Sequence, residues 1–364
     1  MHGLFEGKQR IFVFSILEDH LMPNYVRFFL GLLAPIAIFI GFIVVGSMLI
    51  LTTPDRVPAP AVSNSLSFNE KARWMRTKAA LDRCKILVLG SSVALNNIDH
   101  EVLANRFGTV DTINAASWAL SFAQSEQMLE ALASRCHPGL IIWVIYHDEL
   151  SGTSEFNVQW NDFGSYIGGR NLLLSYFASA DIPYYVRTWW KGDESLRYGR
   201  SKYSSVDFDA YGGVNLDCDH FQYNPSRWTD FLDDNGRVKG LSVDFDSLKR
   251  ILIRASGIAA FQQAKVVFVT SPLRGIAEQE FHFDELNRIW ESFSQLAASF
   301  STHYVRVRNL GRYPDSLFVD TDHLNACGAK IFTEELASQI STILGLQIDI
   351  DEQHPKPWMI DGVH

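Results

Sequence analysis

The chain has 364 residues, 47% of them hydrophobic and 20% charged, so it can bury a substantial core and is neither disordered nor fibrous in composition. Its formal net charge is -9 and its isoelectric point is about 5.7. Proteins that bind nucleic acid neutralise phosphates with clustered Lys and Arg, and because the sequence has no such cluster, we expect no nucleic-acid partner.

The first predicted element is a membrane-spanning helix at 28–51. This stretch contains no charged residue, and at a rise of about 1.5 Å per residue it can cross a hydrocarbon core of about 30 Å. A cleaved signal peptide has a shorter apolar core near a basic start, whereas here the polar segment 1–27 comes first and no A-x-A-like site follows immediately. The sequence therefore predicts a retained anchor.

Basic residues on the two sides of this helix predict its orientation. Lys8, Arg10 and Arg27 precede it, and Arg56 follows. Because Lys and Arg favour the cytoplasmic side, 1–27 is predicted to be cytoplasmic and the main domain periplasmic or extracellular. A domain facing the cytoplasm, acting as a lipid esterase, is the alternative.

Composition divides the remainder of the chain. Residues 52–71 are rich in Pro, Ser and Thr, which is typical of a spacer. The folded domain is predicted at 72–345, interrupted by an insertion at 149–243. The polar, Pro-interrupted tail at 346–364 is predicted to be loosely ordered.

Short apolar runs alternate with segments of helical spacing through the domain. The runs lie at 85–90, 109–116, 140–146, 265–272 and 303–310, and the helical segments at 99–106, 121–135, 244–263, 277–299 and 325–343. Continuous apolar strands separated by helices indicate a sheet that is buried on both faces. The predicted fold class is α/β, a doubly wound parallel five-stranded sheet in an α/β/α sandwich.

The insertion at 149–243 breaks this alternation and is dense in Trp, Tyr, Phe, Gly and Asp. We expect it to lie over the sheet edge at which open α/β folds bind ligands. The alternative is a structural cap, whose aromatic side chains fill a second small core.

The first predicted strand ends in Gly90-Ser91-Ser92-Val93. Gly90 permits a sharp turn, and a serine hydroxyl at such a strand-to-helix turn can face a substrate while nearby backbone N–H groups face a developing oxyanion. Ser92 is thus a candidate nucleophile. It could alternatively cap the following helix.

A second motif, Asp320-Thr-Asp322-His323-Leu-Asn325, follows the last predicted strand. A histidine can take a serine proton at neutral pH, and a carboxylate can orient it. Asp320 is the favoured carboxylate and Asp322 the second choice. These side chains could instead cap the last helix or bind a metal ion, while Asn325 is expected to be a helix cap.

Together the two motifs resemble the SGNH (GDSL-like) hydrolase superfamily, in which a G-x-S block ends the first strand and a D-x-x-H block precedes the last helix. The resemblance covers about 84–344, apart from the insertion. It implies that Ser92 is the nucleophile, Asp320 the acid and His323 the base of a catalytic triad. No cofactor and no metal ion are predicted.

The membrane helix, the pair Ser91-Ser92 in place of Asp-Ser, and the His-Leu-Asn-x-x-Gly run look more like the membrane-anchored branch, which includes the D-alanylation protein of teichoic acid synthesis. Proteins of that branch accompany membrane-bound O-acyltransferases in cell-wall or exopolysaccharide acylation. The resemblance implies a serine acyl-esterase or acyltransferase on an extracytoplasmic polysaccharide. The alternative is a catalytically weak scaffold or glycan-binding subunit of such an acyltransferase complex.

Two blocks depart from the family pattern. A Gly usually supplies an oxyanion-hole N–H where this chain reads Asn114-Ala115-Ala116, and an Asn is usual where it has His147. The backbone N–H of Ala116 could still serve. Ser92, Asn114, Ala116 and His147 are therefore the candidates for oxyanion or substrate contacts.

Arg274 follows the fourth predicted strand, at the same sheet edge. It could hold an anionic substrate group, although a surface salt bridge is the favoured role.

The four cysteines show no C-x-x-C spacing, so neither a zinc knuckle nor a thioredoxin-like site is predicted. Cys84 and Cys136 would lie just before two neighbouring strands. Either a disulfide or a pair of small buried apolar side chains fits that position.

Overall fold

The computed structural model describes residues 24–53, 57–151, 157–169, 172–178, 183–186, 188, 206–218, 243–275, 283–309 and 311–346. By its internal contacts the chain divides into two units, Met1–Val57 and Pro58–His364. The predicted cytoplasmic segment up to residue 23, the tail beyond residue 346 and much of the insertion lie outside the described residues.

In the first unit, the described residues form one long helix, α1 (Asn24–Thr52). Its stretch Gly31–Thr52 has a mean hydropathy of 2.6 and is long and apolar enough to cross a membrane. Large apolar side chains along it, such as Phe39 and Phe42, are exposed, as expected where lipid rather than protein would cover them. The predicted span lies within this helix.

The second unit is built on five parallel strands in the order β2-β1-β3-β4-β5. These are β1 (Ile86–Leu89), β2 (Thr112–Asn114), β3 (Leu140–Ile145), β4 (Lys265–Thr270) and β5 (His303–Arg306). Each lies within a predicted run, so the α/β class and the parallel five-stranded sheet are confirmed. All carboxyl ends therefore meet at one edge, where the strand order reverses between β1 and β3.

Nine helices of the second unit are described, besides three 3₁₀ turns at Ala79–Arg83, His147–Ser151 and Asp315–Leu317. They are α2 (Leu66–Thr77), α3 (Ser92–Asn97), α4 (His100–Arg106), α5 (Phe122–Leu132), α6 (Trp160–Ile167), α7 (Leu172–Ala178), α8 (Phe245–Phe261), α9 (Phe283–Ala298) and α10 (Ala326–Leu344). The five predicted helices correspond to α4, α5, α8, α9 and α10.

Alternate strand residues feed two separate cores, one on each face of the sheet. On one face Trp143 packs against Phe122 and Phe268, with ring centroids 4.6 and 5.4 Å apart. On the other, Val144 joins Phe332 of α10. Each such fully buried side chain contributes roughly 1.5–3 kcal/mol, so both helical layers hold the strand ends in place.

The predicted spacer at 52–71 differs from what the structure shows. Ala59 and Val62 are buried in the second unit, and Ser63 pairs with Val158 in a β-bridge. The helix α2 already begins at Leu66. The physical reason is that small apolar residues between the prolines find a surface to pack on, which Pro and Ser content alone does not indicate.

Two described parts of the insertion pack against the sheet layers. Helix α6 buries Phe163 in the core that also contains α5. Residues 206–218, which we call the strap, bond to the domain through Asn114 N to Tyr211 O at 2.8 Å and Val214 N to Leu95 O at 3.0 Å. The predicted ligand-binding role of the insertion remains a prediction.

Two disulfides cross-link the second unit. Cys84–Cys136 is the pair that the sequence left open, and Cys218–Cys327 was not predicted. The second bond joins residues 109 positions apart, the end of the strap and the first turn of α10. Each such cross-link typically stabilises a fold by about 2–4 kcal/mol.

Candidate active site

The turn between β1 and α3 positions the candidate nucleophile. Gly90 has φ +137°, a conformation that favours glycine, and a Cβ there would collide with the carbonyl oxygen of Val144 and the side chain of Ala94. This close approach to β3 lets the chain turn sharply after the strand, so that Ser92 opens α3 at the carboxyl edge of the sheet.

The two adjacent serines have different contacts. Ser91 is buried and is the N-cap of α3, because its Oγ accepts a hydrogen bond from Val93 N at 3.4 Å. Ser92 is only partly buried, and its Oγ lies 2.8 Å from Nε2 of His323. The capping role considered for Ser92 therefore belongs to Ser91.

A tight turn within the loop before α10 brings the carboxylate to the imidazole. Oδ1 of Asp320 accepts hydrogen bonds from the backbone N–H of Asp322 at 3.3 Å and of His323 at 2.9 Å. Both carboxylate oxygens lie 2.9 Å from Nδ1 of His323. The predicted residues Ser92, His323 and Asp320 are thus in continuous hydrogen-bond contact.

The start of α10 fixes the end of this loop. Oδ1 of Asn325 accepts a hydrogen bond from Gly328 N at 3.0 Å, so the predicted cap is confirmed. A Cβ at Gly328 would collide with the carbonyl oxygen of Leu317, which explains the glycine three residues after the cap. The His-Leu-Asn-x-x-Gly run therefore has a packing reason.

Carboxylates control the charge of His323. Burial lowers the pKa of this imidazole, but the charges of Asp320 and Asp322 and the hydrogen bond to Asp320 outweigh it and raise the pKa to about 9. Burial raises the pKa of Asp320, but His323 and the backbone N–H groups bring it to about 2. The resting pair at neutral pH is therefore a carboxylate and an imidazolium.

Asp322 is the second carboxylate beside the imidazole, with Oδ1 3.6 Å from Nδ1 of His323. Burial, together with the charges of Asp320 and Asp148, raises its pKa to about 7. It is thus ionised over the range in which His323 titrates. The favoured assignment of Asp320 as the orienting carboxylate agrees with the shorter distances.

The same residues form a potential donor set for a metal ion, since ligand atoms of Asp320, Asp322 and His323 lie within 4.8 Å of one another. Both ring nitrogens of His323 already contact protein atoms, Asp320 on one side and Ser92 on the other. An ion bound by the imidazole would therefore have to displace one of these partners.

Asn114 and Ala116 are engaged in local structure. Ala116 N donates to Oδ1 of Asn114 at 2.9 Å, while Nδ2 of Asn114 donates to Ala94 O at 3.0 Å. The N–H of Ala116 is therefore not free to stabilise an oxyanion, contrary to the expectation from the sequence. These bonds instead fix the turn after β2 against α3.

That turn contains one strained residue, Ala119, with φ +53°. A non-glycine residue in the left-handed region costs about 1–2 kcal/mol, and such strain is frequent at functional sites. No sequence pattern marks it, because alanine is ordinary in any loop.

His147 follows β3 and is buried. Its ring lies 4.0 Å from that of Tyr146 between centroids, and its Nε2 is 3.2 Å from Oδ1 of Asp148. Burial lowers its pKa, against the charge of Asp148. With Tyr146, Thr270 and Ser271 it lines a cavity of about 30 Å³, the space of a single water molecule.

Glu149 and Arg274 are buried next to the candidate site. Oε1 of Glu149 accepts a hydrogen bond from Tyr146 N at 3.1 Å. Burial raises the pKa of this carboxyl to about 8, although hydrogen bonds from Ser91 oppose the shift.

Arg274 is not the surface residue expected, since its side chain is 5% exposed and bonds to Asp315 at 2.6 Å. The backbone N–H of Arg274 also donates a hydrogen bond to Thr321 O at 3.0 Å, inside the Asp320–His323 turn.

No protein-family model matches this chain, and no curated protein matches it. The chemical interpretation therefore depends on the geometry of Ser92, His323 and Asp320.

We predict that Gly90→Ala destabilises the fold more than a matched glycine substitution. The control is Gly108→Ala, because Gly108 also has positive φ, +60°, but no atom lies within 4 Å of its added Cβ. Backbone strain alone costs about 1–3 kcal/mol at either position, and the collision with Val144 adds to it only at Gly90. Thermal unfolding of the two variants measures the difference; equal losses would contradict the proposed close approach.

We also predict that Asp322→Asn lowers the pKa of His323 from about 9 by on the order of one unit, because one of its two neighbouring negative charges is removed. The measurement is an NMR titration of the His323 ring proton, assigned with a His323→Ala variant. Asp148→Asn is the control, since Asp148 influences Asp322 and not His323 directly.

The pKa of His323 also determines how reactivity should depend on pH. Neutral His323, the form that accepts a proton, is populated above its pKa, so any reaction that uses it as a base accelerates as the pH rises toward about 9. In Asp322→Asn this rise should occur at lower pH. A rise at the same pH in both proteins would refute the assigned charge effect.

Proposed function

We propose that this chain is a membrane-anchored serine acyl-esterase or acyltransferase of the SGNH (GDSL-like) type, acting on an extracytoplasmic polysaccharide. The observation that carries the proposal is the continuous contact from Ser92 Oγ to His323 Nε2, 2.8 Å, and from His323 Nδ1 to Asp320, 2.9 Å. This is the order of nucleophile, base and orienting carboxylate in serine hydrolases.

In the first step, Ser92 Oγ attacks the carbonyl carbon of an acyl ester while neutral His323 takes the hydroxyl proton at Nε2. The tetrahedral intermediate then collapses and breaks the bond to the donor oxygen, which receives that proton from His323. The products are the free donor alcohol and an acyl group on Ser92. In the second step, water or a sugar hydroxyl attacks this acyl group, and His323 transfers the proton of the attacking oxygen to Ser92.

Asp320 keeps the imidazole in the form this sequence needs. By accepting the hydrogen bond from Nδ1, it leaves Nε2 of the neutral ring free to take a proton from Ser92. Its negative charge also stabilises the imidazolium that forms in each step. A carboxylate whose pKa is about 2 remains ionised throughout the working pH range.

The position of the site in the fold supports the same class. Ser92 follows β1, beside the point between β1 and β3 where the strand order reverses, and open α/β sheets bind ligands at such points. The G-x-S and D-x-x-H blocks of the SGNH resemblance supply the three residues. The resemblance is also the basis for polysaccharide as the substrate and a membrane-bound O-acyltransferase as the partner.

Helix α1 supports a membrane anchor, and the disulfides support an extracytoplasmic location of the second unit. The helix α1 is long and apolar enough to anchor the chain in a membrane. All four cysteines are paired, as Cys84–Cys136 and Cys218–Cys327, and disulfides persist in oxidising compartments but are rare in the cytosol. The disulfides agree with the orientation predicted from the basic residues.

A second candidate function is a catalytically weak scaffold or glycan-binding subunit of an acyltransferase complex. The observation that favours it is the occupied N–H of Ala116, which removes one expected oxyanion donor. Loss of one such donor costs roughly 3 kcal/mol in other serine enzymes, a hundredfold or more in rate. Slow, partner-dependent transfer is compatible with that loss.

We predict that a fluorophosphonate probe labels the wild-type chain at Ser92, and that Ser92→Ala abolishes labelling. Ser91→Ala is the control: it loses a helix cap worth about 1 kcal/mol and the hydrogen bond from its hydroxyl to Glu149, but it keeps the Ser92 hydroxyl that contacts His323. Labelling should also persist after chelator treatment, which distinguishes the triad from a metal site. A wild-type chain that stays unlabelled at every pH up to about 9 would overturn the enzymatic proposal.

Mass spectrometry of surface polymers separates the two candidate functions in cells. An enzyme predicts that the Ser92→Ala strain loses polymer acylation to the same extent as a strain lacking the chain. A scaffold predicts that Ser92→Ala retains full acylation while the deletion loses it. The comparison also identifies the acyl group and the polymer.

A further inference from the structure

A buried amide lies between the two halves of the site. Asn97 is the last residue of α3, the helix that Ser92 begins, and its side chain is fully buried. Its Nδ2 donates to Asp322 O at 2.8 Å, and its Oδ1 accepts from Leu324 N at 2.8 Å. These two backbone groups flank His323, so one side chain forms hydrogen bonds to the backbone on both sides of that residue.

A third hydrogen bond joins Asn97 to the chain that follows another strand. The second N–H of Asn97 donates to Ser271 Oγ at 2.7 Å, just after β4. The amide thereby uses both of its donors and its acceptor, each on a different residue. It joins the chain segments that leave β1, β4 and β5.

The two contacts of the triad differ in what holds them. Asp320 and His323 are three residues apart, and their contact is part of a local turn that also includes the N–H of His323. Ser92 and His323 are 231 residues apart. Their separation depends on how the loop before α10 is held against α3, and Asn97 supplies two direct bonds between them.

We propose that Asn97 is a positioning residue that sets the distance between Ser92 Oγ and His323 Nε2. Its catalytic consequence rests on the proposed function, whereas the geometric claim can be tested without it. Without the amide, the Asp320–His323 turn persists, but its alignment with α3 is lost. A displacement of about 1 Å between reacting groups can reduce a rate a hundredfold.

The chain offers a matched control in the preceding residue. Asn96 is equally buried on the same helix, but its Nδ2 donates to Val214 O of the strap at 2.8 Å. Asn96→Ala removes a comparable buried amide and leaves the bonds to Asp322 and Leu324 intact. A purely structural role for both asparagines predicts that the two folded variants have the same labelling rate.

The kinetic test uses the full chain in detergent and compares Asn97→Ala, Asn97→Asp and Asn96→Ala. We expect both alanine variants to lose thermal stability, Asn97→Ala more because it loses three hydrogen bonds rather than one, but a roughly hundredfold slower fluorophosphonate labelling only for Asn97→Ala. Asn97→Asp should be intermediate, because it keeps an acceptor for Leu324 N and loses the donors to Asp322 O and Ser271 Oγ. Equal labelling rates for Asn97→Ala and Asn96→Ala would overturn the inference.

A second readout does not depend on activity. Below the pKa of His323, both ring N–H protons can be followed by NMR, Hδ1 facing Asp320 and Hε2 facing Ser92. We expect Asn97→Ala to keep the Hδ1 signal and lose Hε2 to solvent exchange, while Asn96→Ala keeps both. An unchanged Hε2 signal in Asn97→Ala would refute the positioning role, whereas an unlabelled wild type with the expected NMR changes would refute only the proposed function.

Discussion

The proposed chemistry depends on one hydrogen bond, between Ser92 Oγ and His323 Nε2, whose two residues come from distant parts of the sheet. In the observed order, β5 is three strands away from β1, which at about 4.8 Å per strand is roughly 14 Å. The loop that leaves β5 must therefore run back over the ends of β4 and β3 to reach α3. Contacts that hold the loop on this path are as necessary to the site as the three side chains themselves.

The charge around the site sets a second constraint. The pKa of Tyr146, beside the triad, is raised by burial and by the charges of Asp322, Asp148 and Asp320. A tetrahedral oxyanion formed at Ser92 would experience the same negative field, so donors must compensate for more repulsion than in a neutral pocket. The occupied N–H of Ala116 makes that compensation harder. In the proposed function, this combination slows hydrolysis and transfer alike, because both pass through a tetrahedral oxyanion.

Local patterns in the sequence predict the parts of this structure that local physics determines. Five short apolar runs predicted the strands of the sheet. The spacing of Asp320 and His323 predicted a local turn in which the two side chains meet. The extent of helix α3 was not predicted, because its six residues show too little periodicity. The Cys218–Cys327 disulfide and the three bonds of Asn97 depend on tertiary contacts, for which single-residue patterns carry no signal. The bond from Ala116 N to Asn114 spans only two residues, a local turn that asparagine favours, and was missed. The residues of the candidate site, Ser92, Asp320 and His323, were thus predictable from sequence motifs, whereas the contacts of Asn97 were not.

One of the attachments that hold the loop before α10 is a disulfide. The loop is held at its entry by Arg274, which binds both Asp315 and Thr321 O, and at its middle by Asn97. At its exit the disulfide fixes Cys327, four residues after His323, to the strap, where Cys218 O also accepts a hydrogen bond from Asn325 at 3.2 Å. A reducing environment would remove the covalent part of this last attachment. All attachments of the loop are therefore present only in a compartment where disulfides persist.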